Sequence, residues 1–416
     1  MTKNKYLFPF IMITSLFFMW GFVHNLDPIL IPHLKRSFSL STLEASLVDS
    51  AVFIAYFVMA LPAGFIMKKY GYKTGIILGL ALFAIGSFLF IPAANTQAYV
   101  FFLGALFIIA CGLTILETAA NPYASLLGPP ETATFRLNFA QSFNGLAATA
   151  APIIGAKIIL IEGISDEKLS KMTASAREFA LASEASSVKT PYLVLGSIIL
   201  VIAIIFVFLK LPEIVETEEP GDKATDHTLL DALKHKHLRW AVLAQFFYVG
   251  AQVCVFSFFI LYATKAAEID QQKAAGYAGI GMGLAFLIGR VLGTFLMKFI
   301  KAERLLAIYA VASMVLCVLA IVTHGTISLF VVIGIAFFMS IMFPTIFSLG
   351  IKDLGKDTKF GSSLIIMSIV GGAILPPAMG YVADIADIQI GYIVPLICFA
   401  VVFLFGVTGH KVVKRT

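Results

Sequence analysis

Charged side chains are scarce in this chain. Asp, Glu, Lys and Arg make up 13% of its 416 residues, whereas hydrophobic residues make up 59%. Soluble domains carry about 25% charged residues. The scarcity therefore excludes an ordinary soluble protein and favours helices packed within a membrane, where the 32 glycines let neighbouring helices approach closely.

Cysteines and catalytic motifs are also few. The four cysteines (Cys111, Cys254, Cys317 and Cys398) lie in apolar runs, so we expect neither disulfides nor a metal site. The sequence has no phosphate-binding loop after a strand and no convergent set of nucleophile and metal ligands. We expect no cofactor, no ATP-driven step and no enzymatic activity. The basic residues are scattered over short loops, so the net charge of +6 does not indicate nucleic-acid binding.

Twelve apolar runs are each long enough to cross a hydrocarbon core about 30 Å thick. We predict spanning helices at residues 6–32, 43–67, 74–93, 98–127, 137–161, 191–211, 238–264, 274–298, 304–323, 326–350, 361–384 and 390–409. The prediction is an all-α membrane protein with six helices in residues 1–211, a cytoplasmic linker at 212–237 and six helices in 238–416. The KHKH segment of this linker is interpreted as solvated charge rather than as a metal site.

The distribution of Lys and Arg predicts the orientation of these helices. With a cytoplasmic N-terminus, 20 of the 30 basic residues fall on the cytoplasmic side and 9 on the other, while Arg290 lies within a helix. This bias predicts that both termini are cytoplasmic. The first apolar run lacks a small-x-small cleavage site, so we predict that it is a retained helix rather than a signal peptide.

The two halves also resemble each other in sequence. Three groups of residues recur in the same order at offsets of 230, 222 and 225 positions. The pairs are AGFIMK with GTFLMK (Ala63–Lys68 and Gly293–Lys298), NPYASLLG with FPTIFSLG (Asn121–Gly128 and Phe343–Gly350), and Phe135, Pro152 and Gly155 with Phe360, Pro377 and Gly380. Parallel repeats of this kind predict a substrate site between the halves near the membrane midplane.

Glu117 interrupts an otherwise almost uncharged run, Phe101–Leu127. An acid at bilayer depth is costly and normally faces a polar partner or a water-filled path. Desolvation favours the neutral form of a carboxyl group, so proton binding and release at Glu117 predict a coupling role. Asp27, followed by Pro28 late in the first helix, is a second candidate. The alternatives are a packing role for Glu117 and a frayed helix end for Asp27.

Uncharged amides are predicted to bind a hydroxyl-rich ligand, since each presents both donors and an acceptor. Asn138, Gln141 and Asn144 recur at intervals of three on one helix face. Aromatic rings of the seventh helix offer stacking surface for a sugar. The alternative for all of these residues is hydrogen bonding and packing between helices. The candidates are Asn25, Asn121, Asn138, Gln141, Asn144, Gln245, Gln252, Tyr248, Phe256, Phe259 and Tyr262. Lys68, Lys69, Lys73, Arg290 and Lys298 are interpreted as topology determinants and as parts of an inner gate that closes through charge pairing.

Long motifs in both halves carry a family resemblance. They are LETAANPYASLLG, FRLNFAQSFN, AVLAQFFYVGAQV, IGRVLGTFLM, FPTIFSLGIKDLG and KFGSSLIIMSIVGGAILPPAMGYVAD. With these motifs, nearly the whole chain resembles the fucose permease branch of the major facilitator superfamily, which includes glucose/galactose and N-acetylglucosamine carriers. The resemblance implies proton-coupled monosaccharide uptake. It matches Glu117 to the family's buried glutamate, and Asn25, Gln141 and Asn144 to amides of its central cavity.

Two positions depart from the family pattern. The family usually has its first-helix acid where this chain has Pro28, so Asp27 lies one residue earlier, about 100° around an ideal helix. Fucose permease has Tyr where this chain has Phe343, which removes a hydroxyl beside the cavity. Phe343 is therefore added to the candidate substrate-binding residues, as a position that alters sugar preference.

The resulting hypothesis is a monosaccharide:proton symporter of a bacterial cytoplasmic (inner) membrane, working by alternating access as a monomer among lipids. Its expected partners are a small sugar, L-fucose or a related hexose, and protons. Sodium-coupled or uncoupled hexose or N-acetylhexosamine transport is the alternative. Proton-driven efflux of hydrophobic compounds is disfavoured by the amide stripe, the three residues Asn138, Gln141 and Asn144, because an efflux cavity should be more apolar. A nutrient sensor is disfavoured because only about seven residues follow the last predicted helix.

Overall fold

The computed structural model describes residues 6–25, 38, 42–96, 98–159, 171–186, 188–212 and 228–412. Within these ranges the regular structure is helical. Ten helical stretches are long and apolar enough to cross a membrane. One of them, Ser50–Thr96, is two helices joined at Gly71, and Ala133–Ile159 is a further long helix. The described residues therefore form twelve long helices, as the sequence predicts.

Six of these helices form the N-terminal half of the chain. We label them α1 (Leu7–His24), α2 (residues 42–70), α3 (residues 72–96), α4 (Tyr99–Leu126), α5 (Ala133–Ile159) and α6 (Lys189–Phe208). A shorter helix, Ala174–Ser186, precedes α6. The predicted first helix extends to residue 32, and its residues 26–32 lie outside the described part of the chain.

The other six helices form the C-terminal half. They are α7 (Lys236–Ser257), α8 (Gln272–Leu296), α9 (Ala302–Val322), α10 (Thr326–Gly350), α11 (Gly355–Ile385) and α12 (Ile388–Gly409). A short helix, Phe259–Lys265, continues α7 after a break at Phe258. We call the side on which α6 ends and α7 begins the linker side.

Glycines allow close contacts within the N-terminal half. Gly71 has a φ of 81°, a conformation that is costly for residues with a Cβ, so it can turn the chain sharply from α2 into α3. Where α3 crosses α4, a methyl group on Gly112 would lie 2.6 Å from the Gly79 carbonyl oxygen. The two backbones therefore touch at these glycines, as small residues permit between membrane helices.

Two lysine–aromatic contacts join the halves on the linker side. The Lys68 ammonium lies 5.7 Å from the centre of the Phe360 ring, and the Lys298 ammonium lies 5.5 Å from that of Phe135. The internal repeat relates Lys68 to Lys298 and Phe135 to Phe360. The contacts are therefore equivalent, each joining the fifth helix of one half to the linker-side end of the second helix of the other half or to the turn that follows it. We call these four residues the lysine clasp.

The histidines of the KHKH segment are docked rather than solvated, so the interpretation of this segment as solvated charge is wrong. His235 lies 2.9 Å from the Asp357 carboxylate, and the ring of His237 is 2.8 Å from the Lys352 carbonyl oxygen. His237 is only 1% exposed. His237 thus contacts the turn between α10 and α11, and His235 contacts the first turn of α11, so both contacts fix the start of α7.

Candidate functional site

Glu117 lies in α4, nine residues before its end at Leu126. At 1.5 Å per residue this places its backbone about 14 Å from the linker-side end of the helix, near mid-membrane. The Tyr56 hydroxyl of α2 donates a hydrogen bond of 2.6 Å to Glu117 Oε1. Tyr56 is buried, but Glu117 is only half-buried, so the carboxyl group remains partly accessible. The acid is thus hydrogen-bonded to a neighbouring helix without being fully buried.

The turn between α4 and α5 is held by Arg136. Its guanidinium donates to the carbonyl oxygens of Ala124, Ser125 and Pro129. The last carbonyls of α4 have no partners within the helix, so Arg136 supplies the donors that they lack. This places the amides of α5 beside the polar end of α4.

A chain of hydrogen bonds leads from Glu117 across the boundary between the halves. Asn121 Nδ2 donates to the Glu117 carbonyl oxygen at 2.9 Å, and Gln141 Nε2 donates to Asn121 Oδ1 at 3.1 Å. Arg290 Nη1 donates to the Gln141 carbonyl oxygen at 2.9 Å, and Arg290 Nε donates to that of Ser340 at 2.8 Å. This series of hydrogen bonds joins α4 and α5 of the N-terminal half to α8 and α10 of the C-terminal half.

Arg290 therefore differs from its interpretation as a member of a charge-paired gate. It is buried, its hydrogen-bond partners among the described residues are carbonyl oxygens, and its guanidinium lies 4.5 Å from the centre of the Phe286 ring. A buried cation requires such partners because it has lost its water. Arg290 joins the halves through backbone atoms and a ring.

Three further polar contacts cross between the halves. Ser362 of α11 donates to the Thr118 carbonyl oxygen at 2.7 Å, next to Glu117 in the chain. Asn138 Nδ2 donates to Thr345 Oγ1 at 3.2 Å, and the hydroxyls of Thr134 and Ser348 are 2.9 Å apart. The last two contacts are on the linker-side halves of α5 and α10.

The amide stripe of α5 does not point to a single neighbour. Asn138 contacts α10 and Gln141 contacts α4, whereas Asn144 packs on α1, where a methyl group on Gly21 would lie 2.8 Å from its Cγ. Asn25 donates to the Gly21 carbonyl oxygen at 2.6 Å, which brings it to the same stretch of α1.

The other candidates lie on the side of the site that the C-terminal half forms. The Tyr248 and Phe343 rings meet edge to face with their centres 6.4 Å apart, and the Phe256 and Phe286 rings meet with their centres 5.9 Å apart.

The predicted substrate-binding residues fall into two groups by exposure. Asn25, Asn144, Gln252, Phe256 and Phe343 are half-buried, whereas Asn138, Gln141, Gln245 and Tyr248 are buried.

Some predicted residues are not brought to the site. Phe259 and Tyr262 are 0% exposed, and the Tyr262 hydroxyl donates to the Ala320 carbonyl oxygen within the C-terminal half. In this conformation they fill the interior of their own bundle, which is the packing role given above as the alternative. Asp27 and Pro28 lie outside the described residues.

The sequence interpretation missed Tyr56, Ser340, Thr345 and Ser362. Each is an ordinary helix residue whose role depends on which helices pack together.

The site as a whole combines a partly accessible carboxyl group, amide donors and acceptors, and aromatic rings between two bundles. It is suited to bind a neutral polyhydroxylated solute and a proton.

Comparison with known proteins agrees with this architecture. Residues 10–368 match the Major Facilitator Superfamily. The chain is 42% identical to the L-fucose-proton symporter of Escherichia coli K12, covering 97% of this chain and 93% of that protein. It is 40% identical to a glucose/galactose transporter of Brucella abortus biovar 1, covering 99% and 96%.

Solved structures show the same fold. The chain is similar to the crystal structure of a Major Facilitator Superfamily transporter, FucP, in the outward conformation, with a TM-score of 0.90, 41% identity and coverage of 99% of this chain and 100% of that one. A second FucP crystal structure matches with a TM-score of 0.89 and 40% identity, at the same coverage. The chain is an integral membrane protein with the fold expected from its sequence, and it belongs to the Major Facilitator Superfamily, as a transporter rather than an enzyme.

Proposed function

We propose that this protein takes up a monosaccharide, L-fucose or a related hexose, by proton symport through alternating access. The observation that carries the proposal is Glu117, a mid-membrane carboxyl group that is partly accessible and hydrogen-bonded to Tyr56 at 2.6 Å. Its relatives include proteins named as an L-fucose-proton symporter and a glucose/galactose transporter, which supports this cargo class.

The sugar binds between the halves among amides and aromatic rings. Of the candidates, the half-buried set offers polar contacts to hydroxyls and apolar faces to the C–H side of a ring. The proposed substrate-binding residues are Asn25, Asn138, Gln141, Asn144, Gln245, Gln252, Tyr248, Phe256 and Phe343. Those that are buried here contact the sugar as the halves move.

Proton coupling follows from the cost of moving a charge through a low-dielectric interior. An ionised Glu117 would hold the carrier in states where water or a donor reaches the carboxylate. Proton binding removes that charge and allows the loaded carrier to reorient. Tyr56 keeps the carboxyl group in place through the cycle. Asp27 is the second proposed coupling group.

The contacts between the halves support a conformation closed on the linker side. The lysine clasp, the Ser362–Thr118 contact and the Arg290 bond to Gln141 all join the halves there. Reorientation must break these contacts while residues 1–211 and 238–416 rock around the site, joined by residues 212–237. We place the linker and both termini in the cytoplasm of a bacterial inner membrane, from the basic residues on that side.

The proposal is tested with purified protein in proteoliposomes. Labelled L-fucose is supplied with an imposed pH step, and unlabelled fucose, galactose, glucose, mannose and N-acetylglucosamine compete in turn. We expect accumulation that follows the pH step and is unaffected by replacing sodium with potassium. Accumulation driven by sodium alone would overturn proton coupling, and failure of every sugar to be taken up or to compete would overturn the cargo class.

A further inference from the structure

Gln245 in α7 is buried without a hydrogen-bond partner. Its side chain is 0% exposed, and neither Oε1 nor Nε2 has a partner within the described residues. No other residue in that part of the chain has two buried side-chain polar atoms without partners. Such an amide loses its bonds to water and gains nothing in return, so it destabilises the conformation that contains it.

The position of Gln245 connects it to the proposed site. It lies nine residues from the start of α7 at Lys236, so its backbone is about 14 Å from the linker-side end, a depth comparable to that of Glu117. Ala241 and Tyr248 share its helix face, at spacings of four and three residues. All three residues therefore face in one direction.

The packing of α7 on α10 identifies that direction. A methyl group on Gly350 would come within 2.5 Å of the Ala241 Cβ, and the Tyr248 ring meets that of Phe343. Gln245 is held between these two contacts, facing α10. Phe343 is itself half-buried at the proposed cavity, so separation of the Tyr248–Phe343 pair would bring the amide to the sugar.

We infer that Gln245 hydrogen-bonds the sugar only in a later state of the transport cycle, reached after initial binding when α7 moves against α10. This inference rests on the proposed function. A sugar hydroxyl can donate to Oε1 and accept from Nε2, so one cargo molecule supplies both missing partners. In the sugar-free carrier, no sugar hydroxyl is present to pair with these two atoms.

This assignment makes reorientation depend on cargo. An interaction that forms only after initial binding speeds the later step without strengthening the first encounter, in the same way that transition-state contacts raise turnover. Gln245 would therefore affect the rate of sugar exchange much more than the affinity of the resting carrier. Asn144 and Phe343, which are already partly accessible, would affect both.

The test replaces Gln245 by methionine, which keeps the volume and removes both polar atoms. In proteoliposomes, Gln245→Met should slow exchange of labelled for unlabelled L-fucose by about tenfold or more, the factor expected for at least one lost hydrogen bond. The dissociation constant for L-fucose, measured by calorimetry in detergent, should change by less than about threefold. If the wild-type protein prefers another sugar of the panel, that sugar is used in both measurements.

A second readout separates this role from packing. Removing an unpaired amide should raise the thermal unfolding midpoint of the sugar-free protein, whereas the additional rise produced by saturating sugar should stay close to that of the wild type, because the affinity of the resting carrier is unchanged. Ser313→Ala is the matched control, because the Ser313 hydroxyl of α9 is also buried without a partner in the described chain. This control should raise the midpoint without changing exchange.

Two results would overturn the inference. Exchange by Gln245→Met at the wild-type rate would show that the amide never meets the sugar. A loss of affinity as large as the loss of exchange would place Gln245 in the initial site. Neither result resembles failure of the proposed function, in which the wild-type protein itself would neither bind nor exchange sugar.

Discussion

The Tyr56 hydroxyl donates a hydrogen bond of 2.6 Å to Glu117 Oε1. The contact links α2 to α4 within the N-terminal half, beside the Thr118 carbonyl that accepts a bond from Ser362 of the other half. Glu117, which binds the proton, is therefore adjacent in the chain to Thr118, which contacts the other half. A change at Glu117 on proton binding can thus act directly on a contact that must break when the two halves move.

Tyr56→Phe should move the pH dependence of driven uptake. A donated hydrogen bond favours the ionised carboxyl group, and phenylalanine removes this donor with little change in volume. Half-maximal uptake should therefore occur at a higher pH, by roughly half to one unit for one hydrogen bond. The measurement is the initial rate of labelled sugar uptake against external pH. Tyr123→Phe, which removes a hydroxyl bonded to the Pro212 carbonyl, should leave the curve in place.

Arg290→Lys should weaken closure on the linker side. A lysine ammonium lacks the guanidinium fork that reaches the Gln141 and Ser340 carbonyl oxygens together. Loss of one charged hydrogen bond should raise the population open on that side by roughly tenfold or more. The readout is maleimide labelling at Ser348→Cys, in a protein whose four native cysteines are alanine. Labelling at the rate of the Arg290 parent would contradict this role.

The lysine clasp should respond equally to changes in either half. Phe135→Leu and Phe360→Leu each remove one cation–π contact, worth about 0.5–1 kcal/mol where the lysine is exposed, as both lysines are here. Each should raise labelling at Ser348→Cys by roughly two- to fivefold, and the double variant should show the product of the two effects. Phe330→Leu, on an exposed part of α10, is the control. A response from only one of the two clasp positions would argue against their equivalence.

Gly112→Ala should destabilise the fold without changing coupling. Its methyl group would lie 2.6 Å from both the Gly79 carbonyl oxygen and the Phe83 nitrogen, so α3 and α4 must separate. A cost of about 1–3 kcal/mol is expected for such overpacking. The thermal unfolding midpoint should fall, while the pH dependence of uptake by the remaining folded protein should not. Gly104→Ala, on the same helix with open space around it, should have no such effect.

The sequence was sufficient to predict the features that depend on composition along one helix. Twelve helices follow from apolar length, and Glu117 is recognisable because one acid in an apolar run needs no knowledge of its neighbours. Tyr56 was missed for the opposite reason. It is 61 positions away in the chain, and a tyrosine in an apolar helix gives no signal until α2 is placed against α4.

The amide stripe shows a second limit of sequence reasoning. Residues three apart differ by 300° around a helix, so a stripe of three turns by about 60° at each step. Asn138, Gln141 and Asn144 consequently meet three different helices. Arg290 and His237 show the same limit, because the backbone carbonyls that bind them are present in every sequence and become partners only through the fold.

The most direct test of the account is Glu117→Gln, which removes the titratable group and keeps its shape. In proteoliposomes with an imposed pH step, this variant should lose concentrative uptake, while exchange of labelled for unlabelled sugar should continue, because the amide imitates the protonated acid. Concentrative uptake at the wild-type level by Glu117→Gln would contradict the assignment of Glu117 as the coupling group.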